Sequence, residues 1–213
     1  IHTPGSIARQ LYALLLEPFS ASSLRACSDE FLLKLRRLCT EEEIVLIFDE
    51  GYTGWAKTGT LFYFMRSGAV PDVVTMSKAF GGGKSSISAY TARAPLFKKA
   101  YDNLTDATLH STTYNGFGEE CATAVEAINI VVDDDYVGRS HRIHSRLHEG
   151  LVTLKGKHPD LITEVRGAGA LNGVILQADM NPALRAAISM IPTSLFKDDQ
   201  FLGKLITGAV ISE

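Results

Sequence analysis

Two side chains at the ends of apolar runs carry the most chemistry in this sequence. Asp49 follows residues 44–48 (IVLIF), and Lys78 follows residues 72–76 (DVVTM) after one serine. A desolvated lysine amine is a natural nucleophile for an aldehyde carbonyl. A carboxylate paired with the nitrogen of a pyridine-type ring keeps that nitrogen protonated. The ring then accepts the electrons released when a substrate Cα–H bond breaks. Gly81, Gly82 and Gly83 follow the lysine, and backbone without Cβ atoms passes close to a bound group. Each feature also has a plain counterpart, since an acid after a strand often caps a helix and a lone lysine is usually solvated. At this level both readings stay open.

Nucleotide-binding patterns fail at named positions. A phosphate loop ending at Gly83-Lys84-Ser85 needs glycine at position 78, which is Lys78. Such a loop should also precede an acidic strand like LIFDE (46–50), and here it follows it. His141, His144 and His148 share helical spacing, but Arg139, Arg142 and Arg146 interleave with them. Interleaved cations disfavour a metal there, so a solvated amphipathic face is expected and no metal ligand is assigned.

The elements that must position these residues follow from periodicity. Residues 11–18 (LYALLLEP) read as a buried strand arriving at a loop. A helix follows, capped by Ser28 or Asp29, with Phe31, Leu32, Leu35 and Leu38 at helical spacing. Residues 44–48 and 72–76 are continuous apolar runs of the kind found in parallel strands buried on both faces, and residues 86–92 form another strand. Two helices are expected next. Residues 119–132 would bury Ala122, Val125, Ile128 and Val132. Residues 136–158 would bury Ile143, Leu147, Leu151 and Leu154, ending before Pro159-Asp160. Residues 165–177 read as two strands around a glycine turn, and residues 199–212 as a further helix. In an open parallel sheet, ligands bind beyond the carboxyl ends of the strands, where Asp49 and Lys78 fall.

Of the 213 residues, 46% are hydrophobic and 21% charged, a balance that supports a sizeable globular core. The net charge of −3 and the absence of a Lys/Arg-rich block argue against a nucleic-acid partner. The apolar runs are too short to cross a membrane. The three cysteines are widely spaced without a CxxC pair, which reads as reduced thiols in a cytoplasmic protein. The opening at Ile1 and the closing GAVISE read as the edges of a central fragment.

The stretches DEGYTGWAKTG (49–59) and PDVVTMSKAFGGG (71–83) resemble the class III pyridoxal-phosphate (PLP) aminotransferases of fold type I. This family includes the ornithine, acetylornithine and 4-aminobutyrate enzymes. LEPF (16–19), HSTTYNG (110–116) and VRGAGALNG (165–173) extend the resemblance in the same order. It implies an α/β large domain with a mostly parallel sheet over residues 1–140. Over residues 141–213 it implies a linking helix and the start of a small C-terminal α+β domain.

The resemblance also implies roles. Lys78 would form the internal aldimine with PLP and shuttle the proton, and Asp49 would pair with the pyridine nitrogen. Thr113, with Thr112 beside it, would reach the cofactor phosphate of a neighbouring subunit in a homodimer. Glu17 would be an acid near the active site. Tyr52 stands where relatives carry Gln or Val near the ring oxygen, and its hydroxyl would donate there. Lys57 replaces a usual arginine, Gly51 a usual β-branched residue, and Ser22 falls near a usual second glutamate. The phosphate-binding loop and the carboxylate-binding arginine of the family lie outside this chain. The implied activity is transfer of an amino group from an amine or amino acid to a keto acid or aldehyde. The alternatives are an aminomutase on the same fold, or a non-catalytic fragment that binds a partner.

Overall fold

The computed structural model describes residues 11–177; the helix expected over residues 199–212 lies outside them. The first four strands are β1 (Ala13–Leu16), β2 (Val45–Asp49), β3 (Val73–Met76) and β4 (Ala89–Ala92). They form one sheet in that order, with β1, β2 and β3 parallel and β4 antiparallel to β3. The last strand is shorter than the pattern over 86–92 suggested.

Helix α1 (Asp29–Glu41) makes the crossover from β1 to β2. Ser28 caps it, its Oγ accepting the Phe31 N–H at 3.2 Å, and Asp29 and Glu30 in the first turn suit the helix dipole. Leu32, Leu35 and Cys39 pack against Leu46 and Phe48 of β2, together with Phe19, Tyr63 and Ala168. A second cluster joins Val74 and Met76 of β3 to Trp55, Phe62, Phe80 and Ala124. Phe64 touches both clusters.

Asp72, just before β3, ties the amino end of the sheet to α1. Its carboxylate accepts from Arg36 at 2.7 Å, Arg93 at 3.3 Å and the Leu46 N–H at 2.9 Å. Burial alone would raise this carboxyl. The hydrogen bonds from Arg36 and Leu46 outweigh it and hold the group below the ordinary carboxylate range.

Helix α2 (Ala94–Ala100), with Pro95 in its first turn, leads through an exposed stretch to α3 (Gly118–Asp133) and α4 (Tyr136–Lys157). In α3 the buried residues are Ala124 and Ala127, while Val125 and Val132 are exposed. Of the expected apolar side, Ile128 packs against the second cluster while Ala122, Val125 and Val132 are turned away, and the reason is proximity. A Cβ on Gly82 would come 3.0 Å from the Ala127 Cβ, so only small side chains let the helix approach the glycine turn. Likewise α4 buries Ser140 and leaves Ile143, Leu147 and Leu154 exposed. It runs unbroken through residue 140.

β5 (Ile162–Ala168) and β6 (Leu171–Leu176) form a separate antiparallel hairpin, against which α4 packs. Its turn requires glycine: Gly169 has φ +56°, and a Cβ there would lie 2.5 Å from both the Gly59 nitrogen and the Lys57 carbonyl oxygen. No helix among the described residues is long and apolar enough to cross a membrane.

Candidate functional site

Parallel pairing of β1, β2 and β3 brings Glu17, Asp49 and Lys78 to the same carboxyl end of the sheet. Leu16 is in register with Phe48, and Asp49 with Thr75. Asp49 is half-buried, and its Oδ1 accepts from the Thr75 hydroxyl and the Gly51 N–H, each at 2.9 Å. Its Oδ2 has no hydrogen-bond partner among the described residues. One oxygen is thus fixed by the fold while the other stays able to accept a proton donor. Gly51 packs closely here, since a Cβ would come 3.2 Å from Asp49 Oδ1 and 3.6 Å from Ser77 Cβ.

Lys78 opens a short 3-10 turn (Lys78–Gly81) with φ +51°. A non-glycine residue in that left-handed region costs roughly 1–2 kcal/mol, and such strain gathers where surrounding structure fixes a side chain for use. The sequence led to a desolvated amine, but Lys78 is exposed. Its Nζ lies 5.7 Å from the centroid of the Tyr52 ring, and Lys57 Nζ lies 5.4 Å from the same centroid. Among the described residues neither ammonium makes an ion pair. Burial, and after it the charge of Lys78, push Lys57 below the ordinary lysine value.

The turn after β2 owes its shape to residues that the sequence reading passed over. Glu50 is fully buried and accepts from the Thr53 hydroxyl at 2.8 Å and the N–H groups of Tyr63 and Phe64 at 2.7 and 2.9 Å. Burial pushes its carboxyl up, and the three donors offset this only in part. Trp55 and Ala56 follow with φ +64° and +67°. The Trp55 ring stacks on Phe80 at 5.3 Å and meets the edge of Phe62 at 5.1 Å. That stack joins the turn bearing Tyr52 to the turn bearing Lys78. The signal for Glu50 was visible as the second acid of an adjacent pair, but its partners lie beyond any local pattern.

Thr112 and Thr113 lie on an exposed loop, apart from the Asp49–Tyr52–Lys78 group. This loop touches the sheet where Tyr90 Oη and His110 Nδ1 meet at 3.1 Å. Glu17 is exposed and accepts from the Ala21 N–H at 2.7 Å, which turns its carboxylate onto its own loop. Two of the three histidines of α4 differ from the solvated face expected of them, while His141 is exposed. His144 and His148 are half-buried and stack at 4.8 Å, His144 Nδ1 lies 3.2 Å from the Gly169 carbonyl oxygen, and His141 lies against Gly59. His144 packs the helix onto the hairpin turn, and His141 packs it onto the loop after β2. Among the described residues no cluster of His, Cys, Asp and Glu is arranged to hold a metal ion.

A strand-end carboxylate with one oxygen unpartnered and a neighbouring strand-end lysine without an acidic partner, both among the described residues, suit with the tyrosine beside them an aldehyde-bearing heteroaromatic ring. PLP fits this donor set. The comparisons with known proteins agree. The family model for class-III aminotransferases matches residues 5–193. Acetylornithine aminotransferase from Agrobacterium fabrum is 34% identical over 183 residues, covering 85% of this chain and 44% of that protein. Succinylornithine transaminase from Yersinia enterocolitica is 33% identical over 174 residues, covering 81% and 40%. The ornithine aminotransferase structure from Toxoplasma gondii superposes with a TM-score of 0.71 at 30% identity, covering 78% of this chain and 38% of that one. An amine transaminase from an uncultivated Pseudomonas species, solved in its PLP-bound internal aldimine form, gives a TM-score of 0.76 at 25% identity, covering 81% and 39%. The chain therefore spans less than half the length of these relatives.

Proposed function

This chain belongs to the class-III aminotransferases, and from that premise we propose that the protein carrying it is a PLP-dependent transaminase built around Lys78. It would move an amino group from an amine or amino acid to a keto acid or aldehyde. The observation that carries this reading is the pairing of Asp49 and Lys78 at the ends of adjacent parallel strands, where among the described residues Oδ2 of Asp49 has no hydrogen-bond partner and Lys78 no acidic one.

When bound, PLP supplies an electron sink for a substrate whose Cα–H bond is broken. Lys78 would attach the cofactor through Nζ and then, as a free amine, take and return the Cα proton. Asp49 would hold the ring nitrogen protonated through Oδ2, while Thr75 and the Gly51 N–H keep the carboxylate from rotating. Tyr52 would donate its hydroxyl to the ring oxygen. The Trp55–Phe80 stack would hold Tyr52 and Lys78 in fixed relation.

Thr113, with Thr112, would serve the phosphate of a second copy across a homodimer interface. The exposed loop around them supports this, since Leu104, Leu109, Tyr114 and Phe117 are large apolar residues left uncovered there. A strictly monomeric protein with full activity would contradict that role. Glu17 would stand at the rim as an acid near the substrate. The same reading assigns residues 1–140 to a large domain and residues 141–213 to a linking helix and the start of a smaller one. A cytoplasmic location belongs to it as well, supported by the free thiols of Cys27, Cys39 and Cys121.

The test is an absorbance spectrum of the whole protein with PLP, before and after borohydride, followed by peptide mapping. Label on Lys78 is the expected result, and its absence would overturn the reading. Release of a keto or aldehyde product during turnover separates a transaminase from a mutase, which releases none.

A further inference from the structure

Lys57 is held more firmly than a surface lysine requires. Its carbonyl oxygen accepts from the Ala170 N–H at 2.8 Å and the Ser140 hydroxyl at 3.2 Å. Ser140 is buried and also accepts from the Ala170 N–H at 3.0 Å. Helix α4 and the β5–β6 turn thus clamp the backbone of a residue whose side chain reaches the Tyr52 ring beside Lys78. That side chain is half-buried.

Among the described residues, the titratable and charged groups around Lys57 do not neutralise it. Asp49 on β2 directs Oδ1 to Thr75 and Gly51. Tyr52 offers its ring face. His141 of α4 lies against Gly59, Lys78 adds a like charge, and the hairpin turn contributes only backbone groups at Gly169 and Ala170. A half-buried ammonium beside a second ammonium, with an aromatic face as its counter-group, is well placed for an anion.

We propose that Lys57 anchors an anionic group, a carboxylate or a phosphate monoester, of the molecule that reacts at Lys78. The assignment rests on the transaminase reading and extends it to the ligand's charge. The carboxylate would come from the substrate and the phosphate from the cofactor. Binding would favour protonated Lys57, so affinity would fall as pH rises through the lysine's lowered range.

The test uses the whole protein as wild type, Lys57→Met and Lys57→Arg, with PLP, pyridoxal and propionate as probes. Attachment at Lys78 is followed by absorbance, and propionate is titrated into the loaded protein against the same band. If the anion is the phosphate, Lys57→Met weakens PLP about tenfold or more and leaves pyridoxal unchanged. If it is the carboxylate, PLP is unchanged and propionate weakens by a similar factor. In either case Lys57→Arg restores binding. Unchanged affinity for all three probes would overturn the proposal, as would equal loss of all three in both variants, which marks a structural role. Absence of any Lys78 band in the wild type would sink the transaminase reading first, and this assignment with it.

Discussion

Asp72 and Asp49 sit at opposite ends of the same sheet and are treated in opposite ways. Asp72, at the amino end, is saturated by two arginines and a backbone N–H. Asp49, at the carboxyl end, spends one oxygen on the fold and leaves the other without a partner among the described residues. The lysines differ from the arginines in the same sense, because among the described residues Lys57 and Lys78 share a ring face and no carboxylate. One end of the sheet uses its charges to fold. In the proposed function the other keeps them for a ligand.

The largest test of this contrast is Lys78→Ala. Covalent cofactor attachment should vanish and turnover should fall by about 10²–10⁴-fold or more, with the thermal midpoint of the cofactor-free protein nearly unchanged. Unfolding of the variant would place Lys78 with the structural charges instead.

Asp72→Ala should do the reverse. It strands two guanidinium groups and should cost about 2–3 kcal/mol in urea unfolding, without altering the spectrum of bound cofactor. The sign of its pH dependence follows from the depressed carboxyl. Stability from Asp72 is complete above the ordinary carboxylate value and is lost as pH falls through the folded value. The variant should therefore show a flatter acid limb.

Glu50→Gln sharpens the comparison within one acidic pair, since Glu50 is structural although it adjoins Asp49. The amide nitrogen would face an N–H donor, a loss of about 1–3 kcal/mol. Here the sign is opposite to that of Asp72. Burial raises the Glu50 carboxyl, so its contribution is fullest at acid pH and declines as pH rises through the folded value. Stability measured from acid to neutral pH should lose that decline in the variant.

Thr75→Val is the smallest change. It removes one hydrogen bond to Asp49 Oδ1 at a cost of about 0.5–1.5 kcal/mol, yet PLP affinity should fall more than stability. An equal effect on both would mean that Asp49 serves the fold as Asp72 does.

Local patterns made much of the fold legible. The Ser28 cap, the apolar runs of β2 and β3 and the glycine turn of the hairpin all stand where spacing put them. The buried faces of α3 and α4 followed the pattern only in part, through Ile128 and Leu151. Their large apolar residues suggested one side, but the Gly82 backbone admits only Ala127, and the Lys57 loop recruits Ser140. Close approach selected small and polar residues over greasy ones. β4 was legible only as another strand, and its antiparallel pairing with β3 came from the structure, because strand direction is not written in apolar content.

By itself, the sequence determined that this chain alternates strands and helices, and that Asp49 and Lys78 close strands inside a class III aminotransferase pattern. Those are properties of neighbours along the chain. Only the tertiary structure decided that Asp49 keeps a free oxygen, that Glu50 is spent on folding, and that Lys57 stands with Lys78 at Tyr52. Each depends on partners far apart in sequence, as Ser140 is from Lys57 and Arg36 from Asp72. Such contacts arise from packing geometry, which no local periodicity encodes.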